Sequence, residues 1–203
     1  MSRPPTTDRD LVRLHWPPEL RPAFDALFGI DDAMAEVVGT AREPMLAAVK
    51  LAWWRENLGR LDSAPPPAEP RLQAAASELL PRGVGGAALA ALQDGWAALL
   101  EEAPDRARLR SRGVVLFQLA ARLLGHSGEG LAQAGGLWAE ANLARRFGRP
   151  LPQAAVLPQS QKVIRPLTGL ASLASRDARR AELEPEAKPS RAWTLLRHRL
   201  TGR

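Results

Sequence analysis

Residues 42–61 read REPMLAAVKLAWWRENLGRL. This passage carries the strongest helical signal in the chain. Glu43 and Pro44 suit a first turn, because proline has no N–H to lose there and its fixed φ fits a helix start. Beyond them, Leu46, Val49, Trp53 and Trp54 recur at helical spacing, while Arg55, Glu56 and Arg60 lie off that stripe. The pattern predicts a helix over 44–61 with the Leu46–Val49–Trp53–Trp54 side turned inward.

The rest of the chain has the same character. Its 203 residues include 36 Ala and 32 Leu but only 2 Ile, 9 Val, 4 Phe and no Tyr. Ala, Leu and Arg favour helices, whereas strands draw on β-branched and aromatic residues. An all-α fold is expected, and a sandwich, barrel or Rossmann sheet is not. Proline and glycine punctuate the other helices, at 7–14 (N-cap Thr6 or Thr7) and 21–38, ending at Gly39-Thr40. More are expected at about 70–80, 86–102, 105–124, 129–147, 167–181 and 190–200. The stripe Leu20, Phe24, Leu27 and Phe28 faces inward on the second helix, and Leu116, Leu119, Ala120 and Leu123 on the 105–124 helix. Gly113 weakens that helix, the Gly135-Gly136 pair permits close helix contact, and Arg179 and Arg180 complement a helix C-terminus. Residues 62–67 form a stiff Pro-rich linker and 149–160 a loop. No internal repeat is present. Residues 1–203 read as one domain, within which 182–203 form a polar linker and a basic C-terminal helix or tail.

The net charge of +6 hides a split: residues 1–105 carry 10 basic and 16 acidic side chains, residues 106–203 carry 18 and 6. A basic half of this kind suits an anionic partner. Candidates are a diphosphate, a peripheral contact with anionic lipid, a protein partner, or nucleic acid. The last lacks any reading motif or set of stacking aromatics. With no Cys there is no disulfide, thiolate nucleophile or Cys-held metal. No apolar run approaches the roughly 18 residues of a membrane span, and MSRPPTTDRD lacks a signal peptide's hydrophobic region. A cytoplasmic location is expected, with peripheral attachment at the inner membrane in view.

Most catalytic motifs are missing. His15, His126 and His198 share no ligand spacing. There is no phosphate-binding loop or nucleophile elbow, and Gly83-Val84-Gly85-Gly86 follows a helix rather than a strand. What remains is acidic. Asp32 and Glu36 stand four residues apart beside Asp31, so two carboxylates share a helix face, a donor type that suits Mg²⁺ bridging to a diphosphate.

Two elements of this pattern resemble the squalene/phytoene synthase family. One is Leu20-Arg21-Pro22-Ala23 followed by Leu27-Phe28-Gly29-Ile30-Asp31-Asp32. The other is Glu43-Pro44 followed by Lys50-Leu51-Ala52-Trp53-Trp54-Arg55, whose double Trp and Arg are the most specific feature. Looser matches are Arg112-Gly113 and the Trp138–Arg145 stretch. The resemblance implies an isoprenoid-synthase-like helical bundle, here truncated. It also implies two aspartate motifs holding Mg²⁺ against prenyl diphosphates that are joined head to head. Carried over by residue, the first motif keeps Asp31 and Asp32 but has Ala35 at its closing position, with Glu36 one place late. The second motif is absent: residues 106–203 hold one Asp, Asp177, and the facing helix offers only Glu140 and Asn142. The expected reading is a divergent, non-catalytic member that binds a lipid or prenyl chain or acts as an assembly factor. It is closest to the branch that serves mitochondrial complex I assembly. The alternative is an active Mg²⁺-dependent prenyltransferase using Asp31, Asp32 and Glu36, with Glu140 as the candidate across the cavity.

Overall fold

The computed structural model describes residues 7–203, so Thr6 lies outside the described residues. All regular structure among the described residues is helical, as the composition requires. Helix α1 (Asp8–Arg13) opens with Thr7, whose hydroxyl accepts from the Asp10 N–H while the Asp10 carboxylate accepts from the Thr7 N–H. This reciprocal cap satisfies two otherwise orphaned donors. Helix α2 (Arg21–Thr40) buries Phe24, Leu27, Phe28, Ile30 and Met34. It runs through Gly39 and Thr40, where a break was expected. Gly39 packs beneath the Phe147 ring and the Thr40 hydroxyl donates back to the Glu36 carbonyl, so local contacts outweigh glycine's low propensity.

Helix α3 (Pro44–Arg60) begins and ends as the sequence indicates, but its inward face differs. Ala47, Leu51, Trp54 and Leu58 meet the core, whereas Leu46, Val49 and Trp53 are exposed together with Met45. Both stripes have helical period, and periodicity alone does not choose between them. The buried stripe is spaced four, three and four along the helix, and it packs against α2 and two later elements, α5 (Gly86–Ala90) and α6 (Leu92–Ala97).

Helix α4 (Pro70–Glu78) is capped by the Glu69 side chain, which accepts from the Leu72 N–H at 2.7 Å. The single helix expected over 86–102 is instead α5, α6 and a 3₁₀ turn at Ala98–Leu100. Gly86 and Gly95 leave this stretch little intrinsic stiffness, and burial of Leu89, Leu92 and Trp96 bends it around the core. Helices α7 (Arg106–Leu123) and α8 (Ala132–Phe147) form the most extensive pair. A Cβ on Gly113 would lie 2.1 Å from the Gly135 carbonyl oxygen, and one on Gly135 would lie 2.4 Å from that of Gly113. The backbones touch there, so Gly135 is the contact residue of the Gly135-Gly136 pair. Its counterpart is Gly113, which propensity alone reads as a weakness.

Helix α9 (Arg165–Asp177) ends earlier than expected, leaving Arg179 and Arg180 in the following turn. Asp177 is drawn into a buried ion network, which fixes that end. Helix α10 (Pro189–Thr201) is ordered, ends on Gly202, and packs on α9 and α1 through Arg191, Leu195 and His198. One continuous hydrophobic cluster runs from Val12 to Leu195.

Candidate functional site

A cavity of about 470 Å³ opens between α1, α2, α8, α9 and the segment before α10. Helical spacing builds its walls. Trp138, Ala141, Asn142 and Arg145 fall on one face of α8, and Phe28, Asp31 and Asp32 share the facing stretch of α2. Phe28, Trp138, Leu170 and Leu173 form an apolar side, with the Phe28 and Trp138 rings edge to face at 5.9 Å.

The polar side is a set of carboxylates, all but Glu186 held by arginine. Asp31 is 2% exposed. Its oxygens accept from Arg112 Nη1 at 2.8 Å and from Trp96 Nε1 at 2.9 Å. Arg112, 1% exposed, lies 4.1 Å from the Trp96 ring centroid and 5.2 Å from that of Trp138, and also donates to Asn142 Oδ1 at 3.2 Å. A buried cation thus has a carboxylate, an amide and two aromatic faces as partners, which satisfies the needs of a charge removed from water. Asp32 accepts from both Arg9 and Arg146, which reach it from α1 and α8.

A second network closes the other end. Arg191 donates to Asp8 at 2.6 and 2.9 Å and to Asp177 at 2.5 and 3.1 Å. Arg145 donates to Asp177 at 2.8 Å and to the Glu184 carbonyl at 2.9 Å. The Arg176 guanidinium and the Ser190 hydroxyl hold the Glu184 carboxyl down to about 2. Partial burial, with Asp8 nearby, pushes Glu186 up from its ordinary value.

The sequence-selected residues separate. Asp31 and Asp32 line the cavity, and Glu36 does not. Glu36 turns to α4, where Arg71 grips it with two bonds of 2.7 and 2.9 Å. The expected Asp32–Glu36 metal pair is therefore divided between different arginines. Glu140 is not opposite Asp31 and Asp32. It projects from another side of α8 to Arg106, at 2.6 Å, and to Arg110. Its offset of two residues from both Trp138 and Asn142 turns it off the cavity face. No group of three or more carboxylates or histidines fit to hold a metal ion occurs among the described residues. Mg²⁺ needs several unclaimed oxygen donors in octahedral array, and these carboxylates spend their oxygens on guanidinium groups. The donor set does not fit the ion.

The Glu43–Arg55 signature plays a different part. Glu43 and Pro44 start α3, Trp54 is buried, Trp53 stacks edge-on against it at 5.4 Å, and Arg55 is exposed beside a groove toward α5. None of these residues lines the cavity.

Sequence reasoning passed over Arg9, Trp96, Arg145, Arg146 and Arg191 as site residues, and gave Arg112 no role. Arg112 left a signal: it precedes Leu116 by four residues and so continues the apolar face of α7. The others lie far apart in sequence and show no local pattern. Comparison with protein-family models, curated proteins and solved structures finds no match.

Proposed function

We propose that this chain is a divergent, non-catalytic relative of the squalene/phytoene synthases. In this reading it keeps a helical bundle of the isoprenoid-synthase type and holds a single lipid or prenyl chain in the cavity, serving as a binding or assembly factor. One observation carries the proposal: each aspartate in the position of the diphosphate wall is occupied by arginine. Ionising an allylic diphosphate requires strong compensation of the departing charge. Around this cavity the arginines, with Arg112 and Arg176 behind the wall, match the carboxylates in number. A balanced site of that kind leaves a diphosphate uncompensated. It suits an apolar chain with a weakly charged head, lying along Phe28, Trp138, Leu170 and Leu173. The volume falls within the range of about 300–1,000 Å³ usual for small-molecule sites.

The test has two arms. Farnesyl diphosphate with Mg²⁺ is expected to release no pyrophosphate above a protein-free control. Farnesol is expected to quench tryptophan fluorescence saturably, unchanged by EDTA, with the signal lost in Trp138→Phe. Mg²⁺-dependent release that disappears in Asp32→Ala would overturn the reading in favour of an active head-to-head prenyltransferase. Absence of both turnover and farnesol binding would also overturn it.

A further inference from the structure

Helix α10 presents two unlike faces. Arg191, Leu195 and His198 face inward and are buried. On the opposite side Trp193 is 67% exposed, Leu196 42% and Leu200 70%. These three stand at i, i+3 and i+7, so they form one continuous apolar ridge. Exposed Arg197 and Arg199 lie beside the ridge, and Arg203 follows its end. None of these three arginines has a carboxylate within ion-pair distance among the described residues, and the segment 189–203 contains no Asp or Glu. Elsewhere on the surface Arg13, Arg71, Arg82 and Arg108 each hold an acid.

The neighbouring segment extends the surface. Gln159 and Ser160 bond to the carbonyls of Thr201 and Gly202, each at 3.0 Å, and Arg165 donates to those of Arg199 and Leu200 at 3.1 and 2.7 Å. This lacing holds exposed Lys162 and Val163 at the same end of α10. The ridge is therefore mounted on a fixed support.

We infer that the outer face of α10 is a docking surface for an anionic lipid bilayer, on which the helix lies in the interfacial plane. The occupant is set by the combination of groups. A Trp and two Leu match the headgroup–acyl boundary, and flanking arginines can bury their stems while their heads meet lipid phosphates. A protein partner would need to supply acids around a narrow apolar ridge, and a nucleic acid would gain nothing from Leu196 and Leu200. No helix among the described residues is long and apolar enough to cross a membrane, so attachment here is to one surface. This inference stands on α10 alone and does not depend on the cavity's ligand.

Flotation of the full chain with vesicles tests it. Vesicles of phosphatidylcholine with one third phosphatidylglycerol are expected to bind at least about tenfold more tightly than phosphatidylcholine alone, and more weakly at high salt. Trp193→Ala with Leu200→Ala should weaken binding about tenfold. Neutralising Arg197, Arg199 and Arg203 to Gln should weaken it by about fivefold per charge. All these side chains are exposed, and an unchanged melting temperature verifies that the variants fold. Equal binding to neutral vesicles, or none to anionic ones, would overturn the proposal. So would apolar variants that bind normally while duplex DNA displaces the vesicles, or a dimer in light scattering that those variants abolish.

Discussion

At the scale of single residues, the Asp31–Arg112 pair is the most consequential contact. Two charges withdrawn from water gain little net stability as a pair, but removing one strands the other. Asp31→Ala is expected to lower the unfolding free energy by about 3–5 kcal/mol in urea denaturation. Adding Arg112→Met should restore much of that loss, because both charges then leave together. His198 supplies the pH dependence. Burial, with Arg165 and Arg197 nearby, pushes its imidazole down to about 4, and the ring bonds the Thr168 hydroxyl at 2.9 Å. The unfolded chain takes up a proton near the ordinary value of 6.5, which the folded chain refuses until about 4. Stability should therefore fall as pH drops from 6.5 toward 4, with no such loss above that window. His198→Gln should flatten this slope between pH 6.5 and 5 in a series of urea titrations. Burial, with Arg199 nearby, also lowers His15, so a residual slope of the same sign is expected in the variant.

At the scale of elements, glycines that look alike in sequence divide by what lies beside them. Gly113→Ala pushes a methyl group into the Gly135 carbonyl and should destabilise by at least about 2 kcal/mol. Gly29→Ala meets nothing within 4 Å in the interior of α2 and should stabilise by about 0.5–1 kcal/mol. Paired thermal denaturation of the two variants checks the contrast. The same division marks what was legible in the sequence. The bounds of α3, α7 and α8 follow from propensity and punctuation, which are local. The buried face of α3 does not, because Leu46–Val49–Trp53 and Ala47–Leu51–Trp54–Leu58 have equal claim until α5 and α6 select one. The candidate site was legible on one side only. Asp31 and Asp32 stand out as adjacent acids, whereas Arg9 and Arg146, which claim Asp32 from 23 residues before and 114 after, carry no local mark, and Arg112, 81 residues beyond Asp31, shows only its place on the apolar face of α7.

At the scale of the whole molecule, the charge split has an internal meaning. An acidic first half and a basic second half suggest an anionic partner when the sequence is read alone. In the fold, part of the second half's charge is spent on the first: Arg112 on Asp31, Arg146 on Asp32, Arg108 on Asp94, and Arg191 on Asp8. Arg197, Arg199 and Arg203, on and just beyond α10, are among those left without an acid within the described residues. Deleting 189–203 should therefore act on the core rather than trim a tail. It leaves Asp8 and Asp177 buried without Arg191 and uncovers the contacts of Leu195, a loss of about 5 kcal/mol or more. Circular dichroism of the truncated chain is expected to show reduced helicity and a shallow, less cooperative melt. The bridge between Asp8 and Arg191 spans 183 positions, and this bears on how the protein is made. Asp8 leaves the ribosome 183 residues ahead of Arg191. Until it emerges, Asp8 and Asp177 would face one another as like charges. Closure of the bundle then waits for residue 191 to emerge, and a nascent chain stalled before it should remain sensitive to protease while one stalled well beyond it should not.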